Sequence, residues 1–80
     1  MDNWKQLWLG SANNPTTYRV EYLPATLAIV RWKNKQGHAK MAIFRPSDGT
    51  WTVARYGRLP DHVKQSVASL VNRNVVTVGA

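Results

Sequence analysis

The sequence predicts an α+β domain: an antiparallel sheet of about four strands, one C-terminal amphipathic helix packed on one face, and a short N-terminal helix. Three observations lead there. Apolar and polar residues alternate in several runs between positions 18 and 56, and turn signals separate the runs. Val63, Val67, Leu70 and Val71 recur at helical spacing. The chain has 80 residues, enough for one domain over 1–80 and too few for two.

Taken in order, Asp2 or Asn3 can cap a short helix whose Trp4, Leu7 and Trp8 form one apolar stripe. A helix that short needs something to dock on. Gly10 to Pro15 reads as a loop. Tyr18, Val20 and Tyr22 alternate with Arg19 and Glu21, the mark of a half-buried strand, and Leu23-Pro24 ends it. Leu27 to Trp32 is a second strand, apolar on both sides. Lys33 to Gly37 is a polar turn, and His38 to Arg45 a third strand. Pro46-Ser47-Asp48-Gly49 is a turn with Pro at a φ-fixed position, and Thr50 to Tyr56 a fourth strand. Pro60 fits a first helical turn, Asp61 suits the positive end of the helix dipole, and Arg73 suits its other end. Val75 to Val78 reads as a fifth edge strand or a docked tail; a free strand edge there would let two copies pair.

Matching apolar residues across the hairpins restricts the register, because a one-residue slip turns every side chain over. The best match pairs Trp32 with His38, Ile29 with Met41 and Leu27 with Ile43. It then pairs His38 with Tyr56, Met41 with Val53 and Ile43 with Trp51. Leu27, Ile29, Met41, Ile43, Trp51 and Val53 share one face, the expected seat of the long helix. The other face carries Val30, Trp32, His38, Lys40, Ala42, Phe44, Thr52, Ala54 and Tyr56. It is a mixed aromatic and basic surface, suited to stacking unpaired bases unless Trp4, Leu7 and Trp8 cover it.

Eleven Lys and Arg against four acids give a net charge of +7 and a pI near 10.4. Such a field attracts nucleic acid, anionic lipid or an acidic protein surface. The hairpin topology gathers Arg31, Lys33, Lys35, Arg55 and Arg58 at one end of the sheet, with Arg31 and Arg55 flanking Ala39. Two guanidiniums across a small residue would form an anion cleft; alternatively they extend over the helix edge into water.

The sequence holds no cysteine, hence no disulfide, thiolate metal site or cysteine nucleophile, which suits a reducing cytoplasm. MDNWKQLWLG does not read as a signal peptide, and no apolar run is long enough to span a bilayer, so no membrane partner is expected. No cofactor motif, metal-ligand spacing or carboxylate pair appears. His38, Lys40 and His62 leave room for acid–base cleavage of RNA. The stretch GHAKMAIFRPSDGTWTV resembles the strand–turn–strand region of HicA-type toxins, in its order Gly37-His38, Phe44, Pro46, Gly49. That resemblance covers about a fifth of the chain. It implies a double-stranded-RNA-binding-domain fold and RNA cleavage. The segment from Gly37 to Pro46 is longer than the family's, and the N-terminal helix shorter.

The expectation placed first is a non-enzymatic module that binds nucleic acid through the basic strand ends and the aromatic face. The alternative is a small inhibitor of phage or mobile-element type that binds a host protein through the same Trp, Tyr and Arg side chains. RNA cleavage ranks below both.

Overall fold

A computed structural model describes residues 3–11 and 14–76. Five strands follow one another before a single helix: β1 (Lys5–Ser11), β2 (Asn14–Leu23), β3 (Leu27–Lys33), β4 (Ala39–Ser47), β5 (Thr50–Tyr56) and α1 (Asp61–Asn74). The strands form one antiparallel meander in the order β1-β2-β3-β4-β5. The α+β class, the antiparallel sheet and the C-terminal helix are as the sequence predicts. The first element is not: residues 5–11 form an edge strand where a short helix was expected. Leu7 and Leu9 point inward against Val20 and Tyr18, and Trp8 between them points outward. Period-two alternation thus overrides the helical spacing of Trp4, Leu7 and Trp8.

The register differs from the expected one by two residues in the central hairpin. Ile29 pairs with Ile43, Arg31 with Met41, and Trp32 with Lys40 rather than His38. The cause is the turn. Its five residues close through Asn34, whose N–H donates to the His38 carbonyl at 3.0 Å. Its side-chain oxygen accepts from the N–H of Gln36 at 3.0 Å and of His38 at 2.9 Å. Gly37, at φ 81°, supplies the left-handed residue that closes the turn. His38 is therefore an exposed turn residue, and β4 begins at Ala39.

The next hairpin turns on Asp48 and Gly49, both at positive φ (51° and 81°). These are the requirements of a two-residue primed turn, whose twist matches that of the strands. Pro46 consequently lies in β4, opposite Trp51, not in the turn. Its missing N–H costs nothing there, because β3 has ended before that level of the ladder.

A bulge in β5 decides which residues meet the helix. Ile43 pairs with Arg55 but Phe44 pairs with Val53, so Ala54 is the extra residue. Trp51 and Tyr56 are an odd number of positions apart and would face opposite ways on a regular strand. The bulge turns both toward α1.

One pleat row then crosses all five strands as Leu7, Val20, Val30, Ala42 and Tyr56. The row beside it carries Ala28 and Phe44. Val20, Ala28, Val30, Ala42 and Phe44 are fully buried beneath α1, which contributes Val67 and Val71. Burying a side chain such as Phe44 or Val30 contributes about 1.5–3 kcal/mol each. The helix thus covers the face expected to be open, while Leu27, Ile29, Met41 and Ile43 lie on the uncovered one. A second strand apolar on both sides gives alternation no means of choosing.

Beta5 ties down both halves of the helix. The Tyr56 hydroxyl donates to the Lys64 carbonyl at 3.0 Å. At the far end the Trp51 indole N–H donates to the Val75 carbonyl at 3.0 Å. Asn72 accepts from the Trp51 backbone N–H at 2.7 Å and donates to the Trp51 carbonyl at 2.9 Å. The amide thus takes the place of a neighbouring strand on this edge. Val75 is buried and closes the helix through its N–H to the Val71 carbonyl at 2.8 Å, so it does not start a fifth edge strand. The rest of that expected strand, and any pairing of two copies through it, lies outside the described residues.

Replacing Asn72 with Ala strips both partners from the Trp51 backbone and should lower stability by about 1–3 kcal/mol. Arg73→Ala, a surface change on the same turn, should stay within about 0.5 kcal/mol. Urea unfolding of the two variants gives the comparison; equal midpoints would contradict this role for Asn72.

Candidate functional site

The uncovered face is built by the residues between those of the core. Two of its rows matter. One runs Trp8, Arg19, Arg31, Met41; the other runs Gln6, Glu21, Ile29, Ile43, Arg55. Among the described residues, Glu21 is the carboxylate of these rows. It accepts from Arg31 Nη1 at 2.7 Å and lies 3.7 Å from Arg19 Nη2. The Arg19 guanidinium in turn sits 5.9 Å from the centre of the Trp8 ring. Trp8 is 64 % exposed. The pleat thus leaves a large aromatic ring open to solvent with a guanidinium beside it.

Toward the β3–β4 turn these rows open into a groove of about 980 Å³. Its charged lining is Arg19, Arg31, Lys33, Lys35 and Lys40, with Trp8 and Met41 as its outward apolar surface. A second hollow of about 330 Å³ adjoins it, shares Ala39, Lys40 and Met41, and adds Arg55 and Arg58. Seven of the eleven Lys and Arg side chains therefore line two contiguous depressions, and among the described residues no carboxylate lines either. The remaining cations are Lys5, Arg45, Lys64 and Arg73. Lys64 lies 3.8 Å from Asp61, and its ammonium is 5.6 Å from the centre of the Tyr56 ring.

The five basic residues marked by the sequence thus collect at one end, Arg31, Lys33 and Lys35 in the larger depression and Arg55 and Arg58 in the smaller. The proposed cleft across Ala39 does not form. Ala39 pairs with Lys33, Arg31 with Met41, and Arg55 with Ile43. Arg31 is also held by Glu21.

The aromatic face is corrected outright. Phe44 is fully buried and Trp32 only 7 % exposed, because α1 covers that side. Trp32 packs against Tyr18 with ring centres 5.4 Å apart, and Phe44 meets Tyr56 edge-on at 6.1 Å. Half-buried Lys40 remains beside Trp32, between the two depressions. His38 is exposed on its turn and His62 is exposed in the first turn of α1.

Sequence reasoning missed Trp8 and Arg19. The available signal was the strand alternation of Lys5, Leu7 and Leu9 around Trp8, which competes with the helical spacing of Trp4, Leu7 and Trp8. Among the described residues no group of His, Asp or Glu is arranged to hold a metal ion, and no helix is long and apolar enough to cross a membrane. No family model matches the chain, and neither the curated proteins nor the solved structures return a match.

Tyr56 lines the smaller depression from the core side, and burial holds its phenol above the ordinary value of 10.0. The unfolded chain therefore releases this proton first as pH rises. The stabilising contribution is complete below pH 10.0 and is lost as pH climbs through the higher folded value. Tyr56→Phe should flatten that alkaline loss while costing about 0.5–1.5 kcal/mol at neutral pH through the missing bond to Lys64. Unfolding midpoints measured on both sides of pH 10.0 test this; an unchanged alkaline slope in the variant would count against it.

Proposed function

We propose that this chain is a nucleic-acid-binding module that holds phosphates in the paired depressions at the β3–β4 end of the sheet. The observation that carries the reading is the gathering there of seven cations, two of them paired with Glu21, with no lining carboxylate among the described residues. A solvating coat would spread its charge and intersperse it with acids. A one-sign groove raises the local concentration of polyanions and speeds their association. Side chains of this kind contact phosphate, which sets affinity and orientation without reading base identity. The outer surface of α1 offers Lys64, Gln65, Ser66 and Arg73, an ordinary solvated face, so the helix is not the reading element.

A second reading, a small inhibitor seated on an acidic protein, is favoured by one feature. Met41 is 41 % exposed on the uncovered face, beside half-buried Ile29 and Ile43. Nuclease treatment before co-purification separates the two, because only a protein partner survives it. RNA cleavage has weaker support. The helix-first arrangement implied by the resemblance to HicA-type toxins is replaced by β1, and the two imidazoles sit on separate elements.

Fluorescence anisotropy with a labelled oligonucleotide at rising salt tests the first reading. Log affinity should fall linearly with log salt, and each phosphate contact removed should lower the slope by about 0.7 to 0.9. Lys33→Ala with Lys35→Ala should weaken binding of all sequences alike. Glu21→Gln should tighten binding, since it removes the competing carboxylate from Arg31. Affinity that ignores salt would refute the reading.

A further inference from the structure

We infer that the ligand of this groove is single-stranded nucleic acid, with an unpaired base stacked on the Trp8 indole. The inference rests on the nucleic-acid reading above and deepens it. Its starting point is an open ring in the wrong place for a core. Trp8 lies on edge strand β1 with its neighbours Leu7 and Leu9 turned into the core, so the pleat fixes the indole outward. Arg19, directly opposite on β2, braces the ring at 5.9 Å, and 64 % exposure leaves the remainder to solvent. The ring is thus oriented before any ligand arrives, which lowers the ordering cost of stacking on it.

The surroundings state what stacks. From Trp8 the groove continues over Arg31 to Lys33, Lys35 and Lys40. An aromatic ring at the head of a cationic track is the arrangement that binds single strands: the track follows phosphates and the ring takes a base by its face. A duplex cannot use it in that way, because its base faces are already stacked on one another. An acidic protein would use the cations, and would use Trp8 only where it presents an aromatic side chain of its own. Stacking accepts any base, so a strand held by Trp8 and by phosphate contacts is bound with little preference for sequence.

The test uses the full chain and four labelled probes of equal length. These are a thymidine homopolymer, the corresponding uridine homopolymer, an abasic strand with the same phosphates, and a blunt duplex, with poly-glutamate as a protein-like polyanion. The wild type should bind both homopolymers more tightly than the abasic strand or the duplex. Trp8→Ala should weaken homopolymer binding by about 5- to 150-fold, the range for loss of one stacked base, and leave abasic-strand binding unchanged. Trp8→Tyr should restore most of the loss. A thermal midpoint within a few degrees of wild type confirms that Trp8→Ala still folds. If homopolymers bind in a salt-dependent way but Trp8→Ala changes nothing, or if duplex or poly-glutamate binds as well as the single strand, stacking on Trp8 is overturned. If no nucleic-acid probe binds at all, the nucleic-acid reading falls with it. Preference between the two homopolymers separates DNA from RNA as the source of the strand.

Discussion

Alpha1 is fastened to β5 at both ends, and the rest of the molecule takes its orientation from that seam. Tyr56 holds the Lys64 carbonyl, Trp51 holds the Val75 carbonyl, and Asn72 holds both polar groups of the Trp51 backbone. Each bond alone is worth about 1 kcal/mol net. Their effect is geometric as well as energetic. They set Val67 and Val71 over Val30 and Phe44, and one helix can cover only one face of the sheet. The strand pleat then sends every intervening residue to the other side. Arg19, Arg31, Lys33, Met41 and Trp8 are outward because Val20, Val30, Trp32, Ala42 and Leu7 are inward.

Small size gives this division its consequence. A chain of 80 residues without cysteine has no disulfide to staple it, and its buried core lies under α1. Among the described residues nothing covers the opposite face, which carries a high density of cations. Their mutual repulsion is tolerable because they lie in water, where screening acts over about 8–10 Å. Glu21 between Arg19 and Arg31 relieves part of it. The face most costly to leave unoccupied is therefore the one to which a polyanion would contribute most.

Much of the fold was legible in the residues. The amphipathic run Val63 to Val71 marked α1, and alternation marked β2. Composition and hairpin order gathered Arg31, Lys33, Lys35, Arg55 and Arg58 at one end. What was not legible had four physical causes. Ile29 and Val30 give β3 an apolar residue on each face, so alternation could not say which side the helix takes. The Asn34-centred turn lies one residue further along the chain than the expected five-residue turn, which slid the register by two. The bulge at Ala54 breaks the period of β5, and without it Trp51 and Tyr56 cannot both face the helix. The aromatic surface expected at Trp32, Phe44 and Tyr56 failed for the first reason. The open ring at Trp8 was hidden by a helical spacing that the edge strand overrides.

The central claim is that one face of the sheet holds the helix and the other holds the ligand. Backbone and indole chemical shifts of isotopically labelled protein, followed during titration with a thymidine homopolymer, test it most directly. The account predicts that shifts concentrate on Trp8, Arg19, Arg31, Lys33, Lys35 and Met41, with Val67, Val71 and the Trp51 indole unmoved. Perturbation centred on α1 or on the buried Trp32 and Phe44, with the outer face silent, would contradict it.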